Sequence, residues 1–212
     1  MMARDMVKFA GIDFYQGEQT FTPRESTEYV VKYILENVDK NSPLIIVDVC
    51  TGIGNIPICL ALALPEATVY GTDLHENSVN TARKNADYHG LGGRARLFAG
   101  NLLDPLMQPE LYNSVDVLVS NPPYIPTSML KKREDLAQEP VLALDGGYTG
   151  FKYYKGIIGN IGMLMKPGGL IVMEAGNARV GGALGEMIGI DPFIIQPIPG
   201  MDEVIVAARW SG

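Results

Sequence analysis

The stretch "LIIVDVCTGIGN", residues 44–55, is the most informative about the fold because it joins an apolar run to a glycine turn. Residues 44–50 form a nearly continuous apolar segment, which is typical of a strand buried on both faces of a parallel sheet. Gly52 and Gly54 follow at the point where the strand should turn into a helix, and glycine lets the backbone approach a ligand closely there. The sequence therefore predicts a βαβ unit with a ligand loop.

Outward from this stretch, strand patterns alternate with helix patterns. Four further buried strands are predicted at residues 67–73, 94–100, 115–120 and 170–175, and helices at 76–90, 150–169 and 178–189. Ahead of the central strand, "TFTPRESTEYVVKYILENV" predicts a helix with Thr22 as its N-cap and Pro23 at its first position. The last two apolar runs, "FIIQPI" and "EVIVAAR", predict an antiparallel hairpin. The pattern indicates an α/β, Rossmann-like fold whose mostly parallel sheet ends in an antiparallel C-terminal strand.

Composition narrows the classes of function. The 212 residues suit one domain, 1–212, with residues 1–40 as a lead-in and capping helix. A net charge of −7 and a pI near 4.8 argue against a nucleic-acid partner, which needs clustered Lys and Arg. No apolar run is long enough for a membrane span or a secretion signal, so we expect a cytoplasmic protein without a membrane partner. Two cysteines and two histidines without site spacing predict no metal.

The glycine loop predicts an adenosyl ligand. Asp73 ends the next strand 19 residues after Gly54, which suits a carboxylate that accepts the hydroxyls of a ribose. Pro57 occupies the third glycine position of a dinucleotide motif, and the Gly-Lys-Ser/Thr of a phosphate loop is absent. S-adenosylmethionine (SAM), which carries no phosphate, fits better. Asp48 either faces its positive charges or only caps the turn.

The motif "SNPPYIPT", residues 120–127, follows another buried strand and should lie at the same edge of the sheet. The Asn121 side chain and the Pro122 carbonyl can accept hydrogen bonds from a planar NH2 group, and Tyr124 offers a flat face for stacking. Such acceptors would direct an amide nitrogen toward a methyl donor. The alternative is an ordinary turn that closes the strand.

The segments "TPRESTE", "DVCTGIGN", "GTD", "SNPPYIP", "EPVLALDGG" and "KPGGLIVMEAG", in this order, resemble the HemK/PrmC-type protein-(glutamine-N5) methyltransferases, from about residue 7 to the C-terminus. This family modifies the glutamine of the Gly-Gly-Gln motif in release factors. The resemblance implies a class I SAM-dependent methyltransferase fold, SAM as cofactor and a release factor-like protein substrate.

Carried over position by position, the resemblance and the loop analysis together assign the site. The expected cofactor residues are Phe21, Asp48, Cys50, Thr51, Gly52, Ile53, Gly54, Asp73, Leu74, Asn101, Leu102 and Asn121. The expected substrate residues are Asn121, Pro122, Pro123, Tyr124 and Glu139, of which Asn121, Pro122 and Tyr124 are the catalytic group. Arg24 and Glu28 could equally form an ion pair at the start of the first helix.

Some features depart from the family pattern. Cys50 stands where glycine is usual, and Asn101 where an acidic residue is common. We expect this chain to lack the N-terminal helical domain that docks the substrate in bacterial members of the family, and a helper subunit in its place is one expectation. Two other functions stay open: methylation of an exocyclic amine on a nucleobase such as adenine N6 or on a small metabolite, and SAM binding without catalysis.

Overall fold

The computed structural model describes residues 6–133, 136–190 and 192–212. Within these residues the strands are β1 (Met6–Phe9), β2 (Ile12–Tyr15), β3 (Ile45–Val49), β4 (Thr68–Asp73), β5 (Ala95–Ala99), β6 (Val115–Ser120), β7 (Met165–Ala175), β8 (Phe193–Pro197) and β9 (Val204–Arg209). The helices are α1 (Glu25–Asn37), α2 (Asn55–Ala63), α3 (Glu76–Tyr88), α4 (Thr127–Leu130), α5 (Lys152–Ile161) and α6 (Ala178–Ile188).

Seven strands form the central sheet, in the order β5-β4-β3-β6-β7-β9-β8. The five strands from β5 to β7 are parallel, and β9 pairs antiparallel with both β7 and β8. The predicted mostly parallel sheet with an antiparallel C-terminal hairpin is therefore confirmed. Chain order reverses between β3 and β6, and the loops beyond the carboxyl ends of these two strands meet at that reversal, where ligands bind in such folds.

Strand β3 is buried because helices cover both of its faces. Ile46 packs in one apolar core with residues of α1, α2 and α3. Val47 and Val49 point to the opposite core, which α5 and α6 cover. Successive side chains of a strand point to opposite faces of the sheet, so neighbouring residues of β3 enter different cores. Because both faces are buried, almost every residue of the strand is apolar.

The structure differs from the predicted elements in three places. Helix α1 begins at Glu25 rather than near Thr22, and its N-cap position, Arg24, is extended without a side-chain cap. Helix α5 ends at Ile161, and residues 165–169, predicted as its last turn, belong to β7. The "KPGG" segment fits into this strand through a register shift against β6 and through backbone hydrogen bonds to Trp210, directly after β9. The hairpin of β1 and β2 was missing from the prediction because each strand has only four residues.

Neither a membrane-spanning helix nor a metal-binding cluster of side chains is found in the described part of the chain. Among the described residues, no helix combines the length and apolar character that crossing a membrane requires. Across the same residues, no three or more His, Cys, Asp or Glu side chains come together as a metal site would need.

Candidate active site

A crevice of about 1010 Å³ opens beyond the carboxyl ends of β3 and β6. Most of the predicted site residues line it, although they come from separate parts of the chain. These are Phe21, Cys50, Thr51, Gly52, Asp73, Leu74, Asn121, Pro122, Pro123, Tyr124 and Glu139. The glycine loop and the Asn-Pro-Pro-Tyr segment therefore share one crevice, as the strand order requires.

Five predicted cofactor residues do not line this crevice. Ile53 is buried in the core, and Gly54 caps α2 at a position where an added Cβ would lie 3.0 Å from Ala82 Cβ. Asp48 lies fully buried in β3 beneath the loop. Asn101 is exposed after β5, where its side-chain amide donates to Asp104. The last of the five, Leu102, packs against the second core. Their roles stay predictions.

The Asp73 carboxylate is held by the backbone at the edge of the crevice. The Gly52 N–H donates to Asp73 Oδ2 and the His75 N–H donates to Oδ1, both at 2.9 Å. Burial raises the pKa of Asp73, and these two hydrogen bonds oppose the rise. Because each carboxylate oxygen can accept more than one hydrogen bond, Asp73 can still receive two hydroxyls, as ribose recognition requires.

The backbone of the loop takes left-handed conformations that side chains disfavour. Gly52 and Gly54 have φ of 56° and 83°, and Cys50 has φ of 63°. A non-glycine residue at such φ carries strain of about 1 to 2 kcal/mol. This conformation explains why glycine is the usual family residue where this chain has Cys50.

Unpaired polar groups lie beneath the same loop. Among the described residues, neither carboxylate oxygen of Asp48 has a hydrogen-bond partner, and the hydroxyls of Thr51 and Thr72 also lack one. Burial raises the pKa of Asp48 to about 8, and the Asp73 charge adds to this rise. In the part of the chain that the structure describes, neither Asp48 nor Asp73 forms a salt bridge with Lys or Arg, which fits a positively charged ligand such as SAM.

The Asn-Pro-Pro-Tyr segment is fixed by its neighbours. The Ser120 hydroxyl donates to the Val49 carbonyl at 2.6 Å and ties the ends of β6 and β3 together. Ile125 exchanges backbone hydrogen bonds with the 144–146 turn, which lies within the quoted segment "EPVLALDGG". The Tyr124 ring lies against Gly176, and burial raises the pKa of its hydroxyl far above the ordinary value. The side chain is therefore a neutral, oriented ring.

Asn121 is anchored by residues that the sequence analysis did not assign. Its Nδ2 donates to Thr27 Oγ1 at 2.9 Å. The hydroxyls of Ser26 and Thr27 donate to the two carboxylate oxygens of buried Glu174, at 3.0 and 2.9 Å. Thr27 and Glu174 lie within the quoted segments "TPRESTE" and "KPGGLIVMEAG", but their separation by 147 residues gave no signal that they meet.

Glu139 lies in the crevice wall with both oxygens engaged. Arg24 donates to Oε1 at 2.7 Å, and the Thr22 N–H donates to Oε2 at 3.1 Å. The considered pairing of Arg24 with Glu28 is wrong, because Glu28 accepts the Ala10 N–H instead. The contact to Glu139 also explains why Thr22 does not cap α1. Glu139 as a substrate residue stays a prediction.

Comparison with known proteins agrees with this geometry. Residues 24–141 match the methyltransferase small domain family. A release factor glutamine methyltransferase of Moorella thermoacetica is 40% identical over 80% of this chain and 59% of its own length, and one of Geobacter sulfurreducens is 34% identical over 93% and 69%. One of Bacillus subtilis is 31% identical over 94% and 71%. The chain thus spans about three fifths to seven tenths of these relatives.

Solved structures support the fold alone. The 16S rRNA N2 G1207 methyltransferase of Thermus thermophilus, solved with AdoMet and guanosine, aligns with a TM-score of 0.67 at 14% identity over 96% of this chain and 49% of its own. The catalytic domain of human METTL16 aligns with a TM-score of 0.68 at 15% identity over 91% and 73%.

Fold and crevice together define a class I SAM-dependent methyltransferase. Within this class, the chain belongs to the release factor glutamine methyltransferase family. The predicted fold class, enzyme class, cofactor and family are confirmed.

Proposed function

We propose that this chain transfers a methyl group from SAM to the side-chain nitrogen of a glutamine in a protein, the Gly-Gly-Gln motif of a release factor. One observation carries the proposal. Asn121 gives its Nδ2 to Thr27, which leaves the carbonyl oxygen for the crevice that also contains the glycine loop. The relatives, named for release factor glutamine methylation, support this substrate.

The hydrogen-bond acceptors of Asn121 and Pro122 and the ring of Tyr124, together called the cradle, compensate for the low nucleophilicity of an amide nitrogen. An amide nitrogen shares its lone pair with the adjacent carbonyl, so it attacks slowly in water. Hydrogen bonds from its N–H groups to Asn121 Oδ1 and to the Pro122 carbonyl would hold it in place and favour electron density on nitrogen. Tyr124 would stack on the flat amide. Positioning and preorganised dipoles of this kind can lower a barrier by several kcal/mol.

The glycine loop and its flanking residues would hold the cofactor. SAM supplies a methyl group on a sulfonium centre. Asp73 would accept the ribose hydroxyls, Gly52 would allow close approach of the backbone, and Phe21 and Leu74 would provide apolar contact from the crevice walls. Asp48, whose pKa burial raises to about 8, would ionise more readily once a positive charge is bound above the loop. Phe21 is itself held under the Arg24 guanidinium, 5.1 Å from the ring centroid.

The substrate class can be tested with three methyl acceptors and one variant pair. A Gly-Gly-Gln-bearing release factor, an adenine oligonucleotide and a metabolite panel should be offered with labelled methyl donor. We expect labelling of the glutamine alone. Labelling of adenine N6 or of a metabolite would replace the proposal with the exocyclic amine alternative, and binding without any transfer would support the non-catalytic one.

Asn121→Ala should reduce turnover of the accepted substrate by at least about 100-fold. Its affinity for SAM, measured by calorimetry, should stay within a few-fold because the glycine loop is unchanged. Asn160→Ala is the matched control, since Asn160 is exposed on α5 and its side-chain amide donates to the Gly156 carbonyl of the same helix. Wild-type turnover in Asn121→Ala would remove its assigned role.

A further inference from the structure

We infer that Thr27 and Glu174 are positioning residues that orient the Asn121 amide, so that its carbonyl oxygen faces the crevice and only substrates with N–H donors are accepted. The inference rests on the proposed function and extends it. It concerns the direction of a buried hydrogen-bond chain that runs from β7 through α1 to the end of β6.

Hydrogen counting sets this direction. An ionised carboxylate only accepts hydrogen bonds, and a threonine hydroxyl carries a single hydrogen. Thr27 therefore donates to Glu174, and its oxygen can only accept from Asn121. The end of the Asn121 side chain that meets Thr27 must be its NH2 group. The opposite arrangement would place two acceptors in contact without a hydrogen between them.

The anchor of the chain is rigid. Glu174 is 1% exposed, and each of its carboxylate oxygens receives one hydroxyl, from Ser26 or Thr27. Its backbone carbonyl accepts the Tyr154 hydroxyl at 2.6 Å. Burying a carboxylate costs free energy even when neutral donors solvate it. An apolar residue could fill this space, so the charge is best explained by the direction it imposes on the chain.

Protonation of Glu174 would remove that direction. Burial raises the pKa of Glu174 to about 7; the hydroxyls of Thr27 and Ser26 oppose the rise, and the Glu203 charge adds to it. The other titratable groups coupled to this carboxylate are Tyr124 and Tyr154, whose pKa values are raised and which stay neutral. A protonated Glu174 can donate to Thr27, which then can donate to Asn121 Oδ1. Turnover should therefore rise with pH as Glu174 ionises.

Three near-isosteric variants test the inference. Thr27→Val removes the hydroxyl, Thr27→Ser retains it, and Glu174→Gln removes the charge. With a Gly-Gly-Gln-bearing protein, Thr27→Val should lower kcat about tenfold or more at pH 8, and Thr27→Ser should stay within about threefold of the wild type. The wild-type kcat should rise with pH with a midpoint near 7, and Glu174→Gln should lose this rise. The KM for SAM should change little in all three.

A second measurement does not depend on activity. Solvent exchange of the Asn121 Nδ2 hydrogens, followed by NMR on the protein without ligands, should be faster in Thr27→Val than in the wild type or Thr27→Ser. Equal kcat and equal exchange in Thr27→Val and the wild type would overturn the inference, as would an unchanged pH profile in Glu174→Gln. If Thr27→Val does not fold, the pH profile of Glu174→Gln decides.

Failure of the proposed function gives a different pattern. In that case the wild type would leave the Gly-Gly-Gln protein unmethylated and label another amine. The Thr27 comparison would then be made on that amine, and the exchange measurement is unaffected. A preserved difference between Thr27→Val and Thr27→Ser would support the inference without the proposed substrate.

Discussion

The two halves of the crevice are stabilised in opposite ways. The glycine loop, which follows β3, is held through its own backbone N–H groups, which donate to Asp73 and Thr72 at the end of β4. Among the residues that the structure describes, it covers buried polar groups without hydrogen-bond partners, and Asp48 is the most costly of these. The Asn-Pro-Pro-Tyr segment, which follows β6, is held by side chains from distant elements, and Asn121, Thr27 and Glu174 are joined by direct hydrogen bonds. Buried polar groups on the cofactor side thus lack hydrogen-bond partners in the described chain, whereas Asn121 on the substrate side has them within the protein.

This contrast reflects what each half binds. A ligand with its own positive charges can compensate buried carboxyl groups when it binds. Carboxyl groups without protein partners on the cofactor side therefore remain available to the ligand. An uncharged amide offers little electrostatic energy, so its cradle must be oriented before binding. The cofactor half therefore tolerates unsatisfied groups, whereas the substrate half is fully anchored. Three variants test this contrast, beginning with the largest expected effect.

Gly146→Ala should disable the substrate half. A Cβ on Gly146 would lie 2.7 Å from Tyr124 Cα and 2.8 Å from Gly150 Cα, and backbone on both sides leaves it no space. We expect kcat to fall at least about 100-fold through displacement of the cradle, with SAM affinity within a few-fold. Gly159→Ala, which meets open space on α5, is the control. Full activity in Gly146→Ala would show that the cradle does not need this rigidity.

Asp48→Asn should stabilise the protein at the expense of the cofactor half. Because burial raises the pKa of Asp48 to about 8, its ionisation opposes folding, and wild-type stability falls as pH rises from the ordinary carboxyl range toward 8. The free energy of unfolding of the variant should exceed that of the wild type by on the order of 2 kcal/mol at pH 9, with a smaller difference at pH 5.

Urea denaturation at several pH values measures this difference, and calorimetry should show weaker SAM binding in Asp48→Asn. Asp39→Asn is the control with the opposite sign, since the Ser42 hydroxyl and the Asn41 N–H lower the pKa of Asp39. A difference between Asp48→Asn and wild type that narrows with rising pH would contradict the view that this carboxyl is uncompensated.

Asp73→Asn should have the smallest effect of the three. The variant keeps one oxygen, so one of the Gly52 and His75 N–H groups loses its acceptor, and it also loses the charge and one acceptor for hydroxyl groups. We expect the Kd for SAM to rise about tenfold, as for the loss of one charged hydrogen bond, and kcat at saturating SAM to change little. Asp87→Asn is the control, because the Asp87 side chain is exposed on α3. An unchanged Kd in Asp73→Asn would separate this carboxylate from ribose binding.

Local sequence determined most of the fold and the cofactor half of the site. Apolar runs, helix periodicity and glycine turns are short-range patterns, so the mostly parallel sheet and the shared edge of the Gly52 and Asn121 loops could be inferred from them. The confirmed fold class follows from these patterns, whereas the family was predicted from the resemblance of the quoted motifs. The short β1 and β2 strands and the true start of α1 could not be inferred, because their formation depends on contacts with distant residues.

The orientation of the Asn121 amide on the substrate side depends on the tertiary structure. The Asn-Pro-Pro-Tyr motif predicts hydrogen-bond acceptors, but the sequence does not indicate which end of the Asn121 amide faces the crevice. That depends on Thr27, 94 residues away, and on Glu174, because hydrogen-bond direction is a property of the assembled chain of donors and acceptors. Residues far apart in sequence become partners only when β6, α1 and β7 pack together.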